Sequence, residues 1–145
     1  MDPYQERLSP AWWLVLALFL AVPTSVLIFL PLSLLLGVTV GVVIWLSLVG
    51  ILWWSAPVVR LTDESFSAGR AQIERRYITR VDAIDPDSAR AAKGVDLDAR
   101  AFLVIRPWIT PVVRVHLDDP RDPTPYWVVS TRAPDTLAAL LNGES

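Results

Sequence analysis

The chain has 145 residues, of which 53% are hydrophobic, with a formal net charge of −2 and no cysteine. The lack of cysteine excludes disulfides, thiolate metal sites, iron–sulfur clusters and cysteine nucleophiles, and the near-neutral charge balance gives no basic footprint for nucleic acid. Apolarity is unevenly placed: no side chain from Leu8 to Val59 is charged, whereas Arg60 to Ser145 holds twelve of the thirteen basic and thirteen of the fifteen acidic residues.

Residues 1–10 read as a short cytoplasmic segment. A cleaved signal peptide is the rival reading, but Asp2 and Glu6 stand against the single Arg7, and the apolar stretch outruns a signal core. Residues 11–56 then hold two membrane spans, at about 11–29 and 32–55, since a bilayer core needs about 20 apolar residues per helix. Trp12 and Trp13 open the first span and Trp53 and Trp54 close the second. Tryptophan favours the membrane–water interface, so an up-and-down hairpin puts both pairs at one interface. Arg7 precedes the spans and Arg60, Arg70, Arg75 and Arg76 follow them, while the turn between them has no Lys or Arg. The positive-inside rule therefore predicts both termini in the cytoplasm of a two-span membrane protein.

Pro23 predicts a kink in the first span, with Thr24 and Ser25 placed to satisfy freed carbonyls. Ser33, Gly37 and Gly41 repeat small residues every four positions. That spacing fits packing inside the hairpin, self-association into a homo-oligomer, or chance. No ionisable group lies within either span, which argues against an ion pathway.

From residue 57 to 145 the pattern changes to short period-two segments separated by turn residues, the mark of an antiparallel sheet. Strands are expected at Val58 to Thr62, Ser65 to Ala68, around Ala71 and Ile73, around Val81 and Ala83, and at Ala101 to Arg106, Val112 to Leu117 and Tyr126 to Thr131. A short helix is expected over Asp87 to Lys93, behind Pro86. A last helix is expected over Pro134 to Asn142, with proline at its start, Leu137, Leu140 and Leu141 in one stripe and Gly143 as its stop. Seven strands followed by a helix is the element order of a pleckstrin-homology-like (PH-like) barrel with a C-terminal helix.

Arg100 to Trp108 (R-A-F-L-V-I-R-P-W), Leu117 to Pro120, the string Asp122 to Trp127 (D-P-T-P-Y-W) and Ser130 to Arg132, with Tyr4, Glu6, Arg7 and the Trp12–Trp13 pair, carry a family likeness. On these residues the chain resembles the actinobacterial membrane proteins grouped as domain of unknown function 3093, over nearly its whole length. The resemblance implies a small actinobacterial plasma-membrane protein and supplies no reaction and no catalytic set.

Several residues are candidates for binding. Asp118, Asp119 and Asp122 sit in a proline-stiffened loop; they either cap backbone N–H groups in turns or hold a hard cation such as calcium, although the glycine and ligand order of a dedicated calcium loop are missing. Arg106 is placed to pair with Asp118 or Asp119; alternatively Arg100, Arg106 and Arg132 form an anion site for a lipid phosphate or a protein carboxylate. Trp108, in the Pro107–Pro111 loop, either projects outward to an interface or partner or folds back over the barrel. Tyr126 completes the candidate set, while Trp127, alternating with Val129, reads as core. His116 is the only histidine and reads as an ordinary surface residue, because no partner can be inferred from spacing.

These readings imply no cofactor and no metal. They favour a membrane-anchored, non-enzymatic interaction module that binds a protein partner at the cytoplasmic face. The alternatives are a binder of anionic lipid head groups and, less favoured, a membrane-bound hydrolase or transferase using the acidic loop.

Overall fold

The computed structural model describes residues 3–143. The chain divides into two compact units, one formed by residues 9–56 and the other by residues 1–8 together with 57–145.

The apolar unit is a helical hairpin of α1 (Trp12–Leu18), α2 (Ala21–Phe29) and α3 (Leu34–Trp54). Taken together, Trp12–Phe29 and Leu34–Trp54 are both long and apolar enough to cross a membrane; at 1.5 Å per residue α3 extends about 31 Å. The first segment is broken at Phe19 and Leu20. The break follows from Pro23, whose missing N–H and bulky ring deprive the carbonyl four residues back, that of Phe19, of its helical partner. Val22 N–H takes up the Phe19 carbonyl at 3.0 Å instead, and the Thr24 hydroxyl donates to the Leu20 carbonyl at 2.8 Å.

Gly37 and Gly41 face α2. A Cβ on Gly37 would lie 2.8 Å from the Val26 Cα, and one on Gly41 would lie 2.7 Å from the Val22 Cα. Of the three readings of the small-residue repeat, packing inside the hairpin accounts for both glycines. Ser33 belongs elsewhere: it caps α3, its hydroxyl accepting the Leu36 N–H at 3.4 Å. The second helix thus begins at residue 34, with the turn before it. Phe19 meets Trp45 edge-on at 5.4 Å, and the Trp45 indole donates to the Val15 carbonyl at 3.1 Å. These contacts run antiparallel, which brings Trp12 and Trp13 to the same end of the hairpin as Trp53 and Trp54. All four are exposed.

Among the described residues, the second unit contains eight strands in two four-stranded sheets, with no closed barrel. The first sheet runs β1 (Tyr4–Arg7), β2 (Val58–Leu61), β3 (Ser65–Ala68), β4 (Ala71–Glu74), antiparallel throughout. The second has the order β5 (Ile78–Ile84), β7 (Val112–Leu117), β8 (Tyr126–Ser130), β6 (Phe102–Val104), with β6 parallel to β8. Helices α4 (Pro86–Lys93) and α5 (Pro134–Asn142) complete it, and Gly143, at φ +76°, ends α5 in the left-handed conformation.

The principal correction to the sequence reading is β1. Residues 4–7, expected to stand apart as a cytoplasmic segment, pair with β2 in the register Tyr4–Leu61 to Arg7–Val58. The Leu8 N–H continues the ladder to the Pro57 carbonyl at 2.9 Å, and Leu8 is fully buried. The chain therefore leaves and re-enters one sheet at adjacent positions, so any membrane crossed by residues 9–56 is crossed an even number of times.

The core lies between the sheets and α5. Val59, Leu61, Phe66 and Ile73 from the first sheet meet Val81, Val113, Val115, Trp127 and Val129 from the second, with Leu137 and Leu141 of α5. Alternation along β7 and β8 sends the neighbours of these residues to the outer face. There α4 lays Ala89 and Ala92 over Val112 and Val128 as a second small core. The end of α5 is fastened to an edge strand: Asn142 Oδ1 accepts the Val81 N–H and its Nδ2 donates to the Val81 carbonyl, each at 3.0 Å.

Candidate functional site

Beyond the part covered by α4, the outer face of the second sheet carries a polar cluster built by strand register. Opposing positions place Arg80 across from His116, Asp82 across from Arg114, and His116 across from Tyr126. Asp82 is the hub: its Oδ1 accepts Arg80 Nε at 2.7 Å and its Oδ2 lies 3.0 Å from His116 Nε2. Burial pushes the Asp82 carboxyl up, but the hydrogen bonds from His116 and Arg80 outweigh it and leave its pKa below the ordinary value.

Tyr126 stands between the side chains of Arg114 and His116. The Arg114 guanidinium carbon lies 5.0 Å from the ring centre and the His116 ring 5.9 Å away. The Tyr126 hydroxyl is itself fixed, accepting the Asp98 N–H at 2.7 Å and donating to the Asp96 carbonyl at 3.3 Å. Arg114 Nε is buried with no hydrogen-bond partner, so the cation–π contact is what orients this side chain.

A different network secures β1. Glu6 Oε2 accepts the hydroxyls of Tyr4 and Thr131, both at 2.6 Å, and Oε1 accepts the Arg132 N–H at 2.9 Å. Burial, and next the bond to Glu6, raise the Tyr4 pKa to about 12.

Among the binding candidates named from the sequence, only Tyr126 lies in the sheet-face cluster, beside His116, expected to be an ordinary surface residue. Arg100 is held by Asp98 through Nε at 3.3 Å and Nη2 at 3.2 Å. Arg106 donates Nη1 to the Ile105 carbonyl at 3.0 Å, and its N–H donates to Ser130 Oγ. Arg132 Nη1 donates to the Arg7 carbonyl at 3.3 Å. The three arginines are thus taken up by different partners. Asp119 accepts the Arg121 N–H at 2.9 Å, and Asp122 accepts the Thr124 N–H at 2.9 Å and its hydroxyl at 2.6 Å. These are the turn-capping bonds of the simpler reading, while Asp118 is exposed and gives its N–H to the Tyr77 carbonyl. No three His, Asp or Glu side chains gather as a metal site among the described residues. Trp108 folds back against the main core half-buried, beside the fully packed Ile109.

The alternation Arg80–Asp82 and Arg114–His116 marks both pairs as outward-facing, but which strand lies beside which is invisible to local pattern. That is why His116 acquires a carboxylate partner only in the fold.

A family model for proteins of unknown function, DUF3093, matches residues 3–141. The chain belongs to the DUF3093 family. No curated protein and no solved structure matches it. The match to DUF3093 takes in the β1 strand, the apolar hairpin and both sheets, so the cluster on the sheet face lies inside the family region.

Proposed function

We propose that this DUF3093 protein is a membrane-anchored, non-enzymatic interaction module that binds a protein partner through the outer face of its second sheet. The observation that carries this reading is the Arg114–Tyr126–His116 stack, fixed from behind by the Asp98 N–H and from the side by Asp82. Rigid Tyr and Arg side chains lose little entropy on association and dominate binding energies at protein interfaces. His116 has an orienting carboxylate, but no hydroxyl is bonded to its ring among the described residues, which favours binding over acyl transfer.

The positive-inside distribution supports two spans with both termini in the cytoplasm, and the family resemblance implies an actinobacterial plasma membrane. The run of strands closed by α5 supports a distant PH-like reading of the domain, by analogy of element order alone.

A photo-crosslinking residue at Arg80, exposed on this face, tests the proposal in intact membranes. A discrete protein adduct that weakens at least tenfold with Arg114→Ala is expected; adducts to lipid alone would sink the reading. Binding of anionic head groups is a second reading, supported by Arg90 and Lys93 of α4, neither of which forms a salt bridge among the described residues.

A further inference from the structure

Helix α4 and the loop after β6 border a groove of about 400 Å³ lined by Pro86, Ala89, Arg90, Lys93, Pro107 and Thr110. Lys93 is partly buried there, and its ammonium donates to the Thr110 carbonyl at 3.1 Å and the Ile109 carbonyl at 3.4 Å. Both acceptors are neutral. Burial lowers the Lys93 pKa, as follows when an ammonium loses water without gaining an opposite charge. Arg90 lies three residues earlier on the same helix face, is exposed, and has no ion pair among the described residues. The groove therefore brings Arg90, Lys93 and Thr110 together between two prolines, without a carboxylate in its lining.

A planar carboxylate is satisfied by one guanidinium fork, whereas a tetrahedral phosphate presents oxygens in several directions and accepts from both a fork and a point charge. We propose that this groove binds a phosphate group, held by Arg90 and Lys93 with the Thr110 hydroxyl as a third donor. The phosphate is carried either by a phospholipid head group or by a soluble phosphorylated compound. The site deepens the head-group reading and is separate from the sheet-face cluster, so either can fail alone.

Lys93 is the only lysine in the sequence, so amine-selective reductive methylation followed by mass spectrometry of its peptide reports on this groove directly. The full chain is placed in phosphatidylcholine nanodiscs and labelled with inorganic phosphate or with chloride at equal ionic strength; a parallel sample uses phosphatidylglycerol nanodiscs. A site nine-tenths occupied slows labelling about tenfold, because only the free groove reacts. Protection by phosphate in phosphatidylcholine identifies a soluble ligand, and protection confined to phosphatidylglycerol identifies a lipid. In both cases Arg90→Gln should abolish the protection, while Arg100→Gln, on a guanidinium already held by Asp98, should leave it. Equal labelling in every condition overturns the proposal. So does protection by chloride equal to that by phosphate, or protection that survives Arg90→Gln.

Discussion

The Glu6 carboxylate accepts the Thr131 hydroxyl at 2.6 Å, joining the strand ahead of the apolar hairpin to the end of the last strand of the domain. Side chains 125 positions apart in sequence thus close the domain around the point where the chain leaves it. The same carboxylate takes the Tyr4 hydroxyl and the Arg132 N–H, so its removal strands three donors. Glu6→Ala should cost about 1.5–3 kcal/mol, the range for a hydrogen bond to a charged group. Faster amide exchange along Tyr4–Arg7 and Val58–Leu61 would report the loss; unchanged exchange would show that the ladder holds without the clasp.

Tyr4 sets the alkaline behaviour. Its pKa is raised from 10.0 to about 12 in the fold, so the folded state holds the phenolic proton more tightly than the unfolded chain. The Tyr4 contribution is fully present below pH 10 and is lost as pH rises through about 12. Stability measured against pH should fall across that window in the native chain and fall less in Tyr4→Phe. Identical curves would show that the phenol is not protected.

In the hairpin, Gly41→Ala would drive a Cβ to 2.7 Å from the Val22 Cα, which is backbone and cannot swing aside. The helices must part, at a cost of about 1–3 kcal/mol by analogy with overpacked cores. Gly50 meets nothing within 4 Å, so Gly50→Ala should be neutral or mildly stabilising through helix propensity. Unfolding of the two variants in mixed micelles separates them; equal effects would contradict the close approach.

Gln5 and Arg60 are direct partners in the β1–β2 ladder, and opposed antiparallel residues have Cα atoms about 4.5–5.5 Å apart, within disulfide range. Since the sequence has no cysteine, Gln5→Cys combined with Arg60→Cys should yield one intramolecular bridge under mild oxidation. Shifting the second cysteine to Ser67, whose ladder partners are Arg60 and Gln72, should abolish it. Bridging of both pairs alike would argue against the register.

Much of this architecture is legible in local pattern. The hairpin follows from a charge-free run, β2 to β8 from alternation and turn residues, and α5 from Pro134, its leucine stripe and Gly143. Strand β1 escapes such reading because Tyr-Gln-Glu-Arg has no apolar alternation of its own and is a strand only because β2, beyond the whole hairpin, offers it an edge. Residues 100–132 concentrate the recognisable strings of the family, yet much of their chemistry is local: Arg100 turns to Asp98, Asp122 to Thr124, and Trp108 inward to the core.

Burial periodicity is a property of each segment and can be read from it, so the sequence alone establishes the two apolar helices, the half-buried strands and the outward-facing polar residues. Which strands lie side by side depends on contacts between segments far apart in the chain. The tertiary structure alone therefore brings Asp82 to His116, stacks Arg114 on Tyr126, and draws Glu6 to Thr131. It also splits the expected barrel into two sheets. Register between distant strands decides these pairings, because a shift by one residue exchanges every inward side chain for an outward one.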